Sequence, residues 1–227
     1  MTQLMSRFQR TQAPSTTGDN SRAAYKSPYA LPLGKDDCLM LLTMSYRETV
    51  ESRGGTLSPT PRMEKCLSKV ASFLTDPGTK WGMIYSSVPG CGKTTMVRAI
   101  QRLLNVLRLK DVQASESEYR KAGLRMVDAR LVNKYYEKDP ATFSELQNAS
   151  MLAVDDLGVE TKANMSYGQL YFPMNELIEY RYSRQLFTVI TTNMTGAEIK
   201  ERYGDRFNDR LKEMMERVNF GDGSFRK

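Results

Sequence analysis

One short segment constrains this chain more than any other feature: SVPGCGKT at positions 87–94. It matches the phosphate-binding loop pattern G-x-x-x-x-G-K-[ST], except that Ser87 replaces the first glycine. The apolar stretch WGMIYSS precedes the segment and the helix-forming stretch TTMVRAIQRLLNVLRL follows it. This is the strand–loop–helix context that the pattern requires, so we expect a phosphate-binding loop in an α/β fold.

The residue types in this loop suit a nucleotide triphosphate and Mg²⁺. Gly90 and Gly92 allow successive backbone N–H groups to turn inward and form an anion-binding nest at a helix N-terminus. Lys93 can reach the β- and γ-phosphates, and the Thr94 hydroxyl can ligate Mg²⁺. Ser87 is small enough to leave the loop formed, although a left-handed backbone there would be strained. The candidate nucleotide-binding residues of the loop are Pro89, Gly90, Cys91, Gly92, Lys93, Thr94 and Thr95.

Two further strand-like stretches end in polar side chains. MLAVDDLG at 151–158 is an apolar strand followed by paired acids, in which Asp155 would hold Mg²⁺ and Asp156 would polarise the attacking water. Taken alone, it fits an ordinary acidic turn equally well. FTVITTN at 187–193 ends in Asn193, which would lie beside the γ-phosphate and orient water. The aspartate at the second acidic position is short, so hydrolysis is expected to be slow or to need a partner.

Composition excludes several other chemistries. The chain has no histidine, which removes histidine general bases, Ser-His-Asp sites and histidine-ligated metals. Its three cysteines are far apart, which favours a reducing compartment over a disulfide framework. Neither a secretory signal nor an apolar run of about 18 residues is present, so we expect a cytoplasmic protein. The net charge of +7 over 227 residues favours a polyanionic partner only mildly.

The chain divides into three parts by composition. Residues 1–30 are polar and basic, and are predicted to form a flexible tail, or else a vestigial terminus. Residues 31–77 contain two helical patterns and form a predicted helical extension or linker. Residues 78–227 alternate between strand and helix patterns, which is typical of a parallel sheet flanked by helices. Within this part we predict helices over 167–184 and 197–217.

Five segments in this order give the chain a more specific likeness. The segments are VPGCGKT, VDDLG, ITTN, YGDRFNDRL at 203–211 and VNFGDGSFR at 218–226. Together they resemble the AAA+ ATPases of the DnaC/IstB group, which comprises bacterial replicative helicase loaders and transposition helper ATPases. The resemblance covers residues 78–227 and implies a P-loop AAA+ core without a large separate lid domain.

The resemblance also implies roles for two arginines near the end of the chain. Arg210 matches the arginine finger, which reaches a γ-phosphate bound by a neighbouring subunit and so implies a homo-oligomer. Arg226 matches the sensor-2 arginine, which contacts the nucleotide of its own subunit. Without the resemblance, Arg210 would be interpreted as a solvated helix charge. Arg206, one helical turn earlier, is expected to support Arg210 or to pair with an acid.

The implied function is that of a DNA replication factor that binds and hydrolyses ATP with Mg²⁺. It would load or regulate a replicative helicase on single-stranded DNA. The alternative within the group is an IstB-like transposition helper that acts on duplex DNA with a transposase. Two hypotheses come from other functional classes. They are a small-molecule kinase and an adaptor that binds ATP without hydrolysing it.

A basic region of the sequence is the candidate DNA contact. Tyr135 and Tyr136 could stack on bases there, although a place in the core is the simpler interpretation. Most of the basic side chains would also fit ordinary solvated faces. They are Arg98, Arg102, Arg108, Lys110, Arg120, Lys121, Arg125, Arg130 and Lys134.

Overall fold

A computed structural model describes residues 29–221 of the chain, except positions 79, 116, 118, 163, 167 and 168. Almost all of the tail predicted at 1–30, and Arg226, lie outside the described residues. The helices are α1 Lys35–Glu51, α2 Pro61–Thr75, α3 Lys93–Leu107, α4 Ala129–Lys138, α5 Pro140–Asn148, α6 Pro173–Ser183, α7 Gly196–Tyr203 and α8 Asp205–Met214. The strands are β1 Gly82–Ser87, β2 Leu124–Asp128, β3 Met151–Leu157, β4 Asn164–Ser166, β5 Gln169–Tyr171, β6 Phe187–Thr192 and β7 Met215–Gly221.

Five of the strands form one parallel sheet in the order β2-β3-β6-β1-β7. Alternate residues of its strands face two separate apolar layers, as the period of two in a β-strand requires. Met83 and Tyr85 of β1 face the layer formed with α1, α2 and α3, whereas Ile84 faces the layer formed with α4 to α8. Since both faces are covered, the central strands are buried on both sides over most of their length, which is why their sequences show no regular alternation of apolar and polar residues.

The two leading helices belong to the same core as the sheet. Leu42 of α1 and Leu67 of α2 are buried in the layer that also contains Phe187 of β6. Tyr29 is buried too, and its ring centroid lies 5.6 Å from that of Phe187. The predicted extension at 31–77 and the predicted domain at 78–227 therefore share one apolar layer, and packing begins by residue 29.

Two helix predictions were wrong in their extent. The helix predicted over 167–184 begins only at Pro173, because a proline favours the first helical turn and disfavours helical backbone in the residue before it. The preceding residues form β5, which pairs with β4 in an antiparallel hairpin. The helix predicted over 197–217 breaks at Gly204 and ends at Met214.

The sequence prediction also missed β7. Its residues Met215, Val218 and Phe220 are buried, and the strand pairs with β1 in parallel. Burial of these side chains at the edge of the sheet outweighs the helical pattern of MMER. Among the described residues, no helix combines the length and apolar character needed to cross a membrane.

Candidate nucleotide-binding site

The predicted site residues meet at one edge of the sheet. Lys93 begins α3 directly after the loop that follows β1, Asp155 lies in β3, and Asn193 directly follows β6. These three strands are neighbours in the order β3-β6-β1, and all run in the same direction. Their carboxyl ends therefore bring together side chains that are far apart in sequence, at the edge where open α/β sheets bind ligands.

The loop between β1 and α3 adopts the backbone that its glycines allow. Gly90 has φ +85° and Gly92, the N-cap of α3, has φ +88°. Ser87 does not have a positive φ, so the departure from the loop pattern introduces no backbone strain. Its hydroxyl donates to the carbonyl oxygen of Gly221, and the buried Cys91 thiol lies 3.5 Å from the same oxygen. Both side chains therefore connect the loop to the end of β7.

Lys93 lies beneath the loop, with its side chain largely buried. Its ammonium donates to the carbonyl oxygens of Ser87 at 2.8 Å and Val88 at 2.9 Å. It also donates to Oδ1 of Asn193 at 2.7 Å. The Lys93 ammonium and the Asn193 side-chain amide are thus in direct contact at the start of α3. The N-terminus of a helix favours anions.

Asp155 is held by two threonine hydroxyls. The Thr94 hydroxyl lies 3.0 and 3.2 Å from the two carboxylate oxygens, and the Thr191 hydroxyl donates to Oδ1 at 2.6 Å. Carboxylate and hydroxyl oxygens are hard ligands of the kind that Mg²⁺ prefers. Thr94 and Asp155 therefore fit a Mg²⁺ ion bound beside a nucleotide phosphate.

Thr191 is a site residue that the sequence interpretation missed. Besides donating to Asp155, its Oγ1 accepts a hydrogen bond from the backbone N–H of Asp156 at 2.8 Å. This N–H belongs to a residue with φ +59°, so the hydroxyl stabilises an uncommon backbone conformation next to the site. The available signal was a pair of adjacent threonines at the end of a buried strand, directly before Asn193.

The surroundings of Asp156 favour its protonated form. Burial raises the pKa of this carboxyl, and the negative charges of Asp155 and Asp128 raise it further. The cations of Lys93 and Arg130 act in the opposite direction. Arg130 also donates to Asp128 through two nitrogens, at 2.9 and 2.5 Å. A carboxylate with a raised pKa is a stronger base, which suits a group that accepts a proton from water.

A second missed residue, Glu160, joins the end of β3 to α7. Its carboxylate accepts from the N–H of Gly158 at 2.9 Å and from the Tyr203 hydroxyl, and its carbonyl accepts from Arg202. Glu160 is nearly fully buried, so these partners replace the water it has lost. The loop that follows the paired acids is thereby fixed to the helix pair that leads to Arg210.

Arg210 contacts α6 rather than the loop of its own chain. Its guanidinium donates to Oε1 of Glu179 at 2.7 Å and lies 5.3 Å from the centroid of the Tyr182 ring. Arg206 donates to the same oxygen at 2.7 Å, which confirms that it pairs with a nearby acid. The side chain of Arg210 is only 16% exposed, whereas that of Arg206 is 76% exposed. Arg210 is therefore held in a fixed position instead of being a solvated helix charge.

Much of the basic region predicted to contact DNA is engaged in ion pairs within the chain. Arg102, Arg120, Arg125 and Arg130 contact Glu48, Asp111, Glu145 and Asp128, respectively. Tyr136 packs edge-on against Phe143, with ring centroids 5.0 Å apart, and against Tyr171. Tyr136 thus has the packing role that the sequence allowed as an alternative to base stacking.

Comparison with solved structures places this architecture among known proteins. The structure of the DnaC helicase loader matches with a TM-score of 0.53 and 21% identity, over 72% of this chain and 92% of that chain. DnaI matches with a TM-score of 0.54 and 15% identity, over 78% and 93%. AMPPCP-bound DnaA from Aquifex aeolicus matches with a TM-score of 0.50 and 10% identity, over 71% of this chain and 48% of that one. No family model and no curated protein matches the sequence.

These similarities, together with the parallel sheet and the loop after β1, identify the fold. The chain has the α/β P-loop fold of the DnaC-like AAA+ proteins. The fold class and the group resemblance inferred from the sequence are thereby confirmed at the level of the fold.

Proposed function

We propose that this chain binds ATP with Mg²⁺ at the loop between β1 and α3, hydrolyses it, and loads or regulates a replicative helicase on single-stranded DNA. The observation that carries the proposal is the convergence of Lys93 with Asn193, and of Thr94 with Asp155 and Thr191, at one edge of the sheet. The fold shared with DnaC and DnaI supports the replication role, and the AMPPCP bound to DnaA supports a nucleotide ligand.

Each group has a role that follows from its position. Backbone N–H groups of the loop and the Lys93 ammonium bind the phosphates. Thr94 and Asp155 hold Mg²⁺, which neutralises phosphate charge when it is bound. Asp156 accepts a proton from the attacking water, and Asn193 orients that water. Arg226 is the proposed contact to the nucleotide of its own subunit.

A second copy of the chain completes the proposed site. Arg210 would reach the γ-phosphate bound by a neighbouring subunit, because an arginine keeps its charge and pairs with two phosphate oxygens at once. The functional form would then be a homo-oligomer that contains DNA and the helicase. Turnover of ATP by the isolated chain is expected to be slow.

The deciding experiment is ATP hydrolysis by the full chain, alone and with single-stranded or duplex DNA. Lys93→Ala and Arg210→Ala are the test variants, and Arg184→Ala, an exposed arginine after α6, is the control. We expect stimulation by single strands that is lost in both test variants and kept in the control. Equimolar mixing of the two test variants should restore part of the activity, because one supplies an intact loop and the other an intact Arg210.

Other outcomes select other functions. Stimulation by duplex DNA alone would favour an IstB-like transposition helper acting with a transposase. Transfer of phosphate to a nucleoside or nucleotide would favour a kinase. ATP binding without turnover, even with DNA and a helicase present, would favour a non-hydrolysing adaptor. If mixing the variants restores nothing, Arg210 does not act between subunits.

A further inference from the structure

A basic groove runs along β7, the strand at one edge of the parallel sheet. Its volume is about 720 Å³, and α2 and α8 contribute to its lining together with β7. A seven-residue strand spans roughly 20 Å, so the groove extends over a similar length. We call it the β7 groove. It contains none of the residues assigned above to nucleotide chemistry.

Six cationic side chains and one acidic side chain line the β7 groove. Lys69 pairs with the acid, Glu216, at 2.7 Å, and Lys212 pairs with Asp209 at 3.0 Å. The other four cations form no salt bridge with any carboxylate in the described part of the chain. The groove therefore carries a concentrated positive charge, which favours a polyanion. The six cations are Arg62, Lys65, Lys69, Lys80, Lys212 and Arg217.

The free edge of β7 is already occupied by side chains. The Lys69 ammonium donates to the carbonyl oxygen of Arg217 at 2.6 Å, and Lys80 donates to that of Met215 at 2.8 Å. The Cys66 thiol lies 3.5 Å from the carbonyl oxygen of Asn219. An extended acidic peptide could add to this edge only by displacing these donors, because strand addition needs the same carbonyls. A phosphate backbone needs only the cations.

The positions of the cations favour one nucleic-acid strand over a duplex. Arg62, Lys65 and Lys69 lie on α2, at one wall, while Lys212 and Arg217 come from α8 and β7. A groove of about 720 Å³ has room for one backbone between the two rows of cations but not for a duplex. We propose that the β7 groove binds the phosphate backbone of a single nucleic-acid strand. This inference rests on the DNA-binding part of the proposed function and gives that DNA a site.

The test measures binding of a fluorescently labelled oligothymidylate by anisotropy at several salt concentrations, with the full chain. The test variant is Lys65→Glu with Arg217→Glu, because both side chains are exposed and neither holds a β7 carbonyl. The control is Lys138→Glu with Arg184→Glu, which makes the same change in net charge away from the groove. Lys65→Gln with Arg217→Gln supplies an intermediate charge if the reversal disturbs folding.

Loss of two phosphate contacts should make the negative slope of log K against log salt shallower by about 1.4, at about 0.7 for each contact with a single strand. At 0.15 M salt the same loss weakens binding about tenfold. We expect this change in the glutamine variant, at least this change in the glutamate variant, and wild-type binding in the control. ATP affinity, measured in parallel, should stay unchanged in all three.

Two results would overturn the groove proposal. In the first, the groove variants bind the oligonucleotide with wild-type affinity and salt slope. In the second, DNA binding is unchanged while binding of polyglutamate is lost, which would assign the groove to an acidic protein segment. A wild-type chain that binds no single strand at all, with or without ATP, would instead refute the DNA part of the proposed function. The two failures are therefore distinguishable.

Discussion

Replacing Thr191 with valine tests whether the hydroxyl between the two acids supports the chemistry of the site. Valine keeps the shape of threonine and suits a buried strand, so the substitution removes the hydroxyl and little else. Two hydrogen bonds are lost: the 2.6 Å bond to the Asp155 carboxylate and the 2.8 Å bond from the Asp156 N–H.

The expected loss of stability follows from these two bonds. A hydrogen bond to a charged group contributes about 1.5–3 kcal/mol, and a buried N–H left without an acceptor costs about 1–3 kcal/mol. Because the two losses share one hydroxyl, we expect Thr191→Val to lower the free energy of unfolding by about 2–4 kcal/mol. Urea unfolding measures this change, and Thr191→Ser, which keeps a hydroxyl, should lose much less.

The functional effect should appear as a change in Mg²⁺ dependence. Without Thr191, the Asp155 carboxylate loses one of the two hydroxyls that orient it. Loss of such an orienting partner typically costs about 10–100-fold in metal affinity or activity. We therefore expect Thr191→Val to need more Mg²⁺ for ATP binding and hydrolysis, and Thr191→Ser to resemble wild type. The reasoning is refuted if the folded valine variant has the same Mg²⁺ dependence as the serine variant.

Three further substitutions test individual parts of the structure. Asp156→Asn should stop hydrolysis and stabilise the fold near pH 7. Because the pKa of Asp156 is raised in the folded state, its ionised carboxylate weakens the fold above that pKa, and asparagine removes this charge. Asparagine also tolerates the φ of +59° at this position. The gain should disappear below the unfolded pKa of about 3.9, as urea unfolding at both pH values would show. Arg181→Met should cost about 3–5 kcal/mol in urea, because the fully buried guanidinium donates to four carbonyl oxygens and a hydroxyl that would lose their donor. Gly158→Ala should reduce both thermal stability and ATP turnover, because Gly158 has φ +106° and the added methyl group would collide with Met194, next to Asn193. The control is Gly123→Ala, which should change neither, because the space around Gly123 is open.

The phosphate loop and the alternation of strands and helices along most of the chain could be predicted because their signals are local. The loop glycines precede a helix and follow an apolar strand within one short segment, so sequence spacing alone locates them. The meeting of Lys93 with Asn193 could also be expected, because parallel strands bring their carboxyl ends to the same edge. The sequence could not predict the 2.7 Å hydrogen bond between the Lys93 ammonium and Oδ1 of Asn193, because it depends on the placement of β6 beside β1.

The missed features depend on partners distant in sequence. Thr191 joins the site through Asp155, which belongs to the neighbouring strand, and Glu160 connects the loop after β3 to α7 through Tyr203. Nothing near Glu160 distinguishes it from an ordinary loop acid, and the local signal for Thr191 is only the threonine pair before Asn193. The strand β7 was missed for a related reason: Met215, Val218 and Phe220 are buried because β7 pairs with β1 at the edge of the sheet, which no local pattern indicates.

The ion pair of Arg210 shows how a partner distant in sequence changes the expected role of a charged side chain. Glu179 accepts hydrogen bonds from Arg206 and Arg210 through a single oxygen, so two cations share one negative charge. The pair raises the pKa of Arg210 and fixes its position, yet it leaves a net positive charge at this point of the surface. A triphosphate presented by a neighbouring copy would carry more negative charge than one carboxylate and could attract Arg210, while Arg206 keeps Glu179 paired. In the proposed contact between subunits, Glu179 would therefore orient Arg210 without neutralising it.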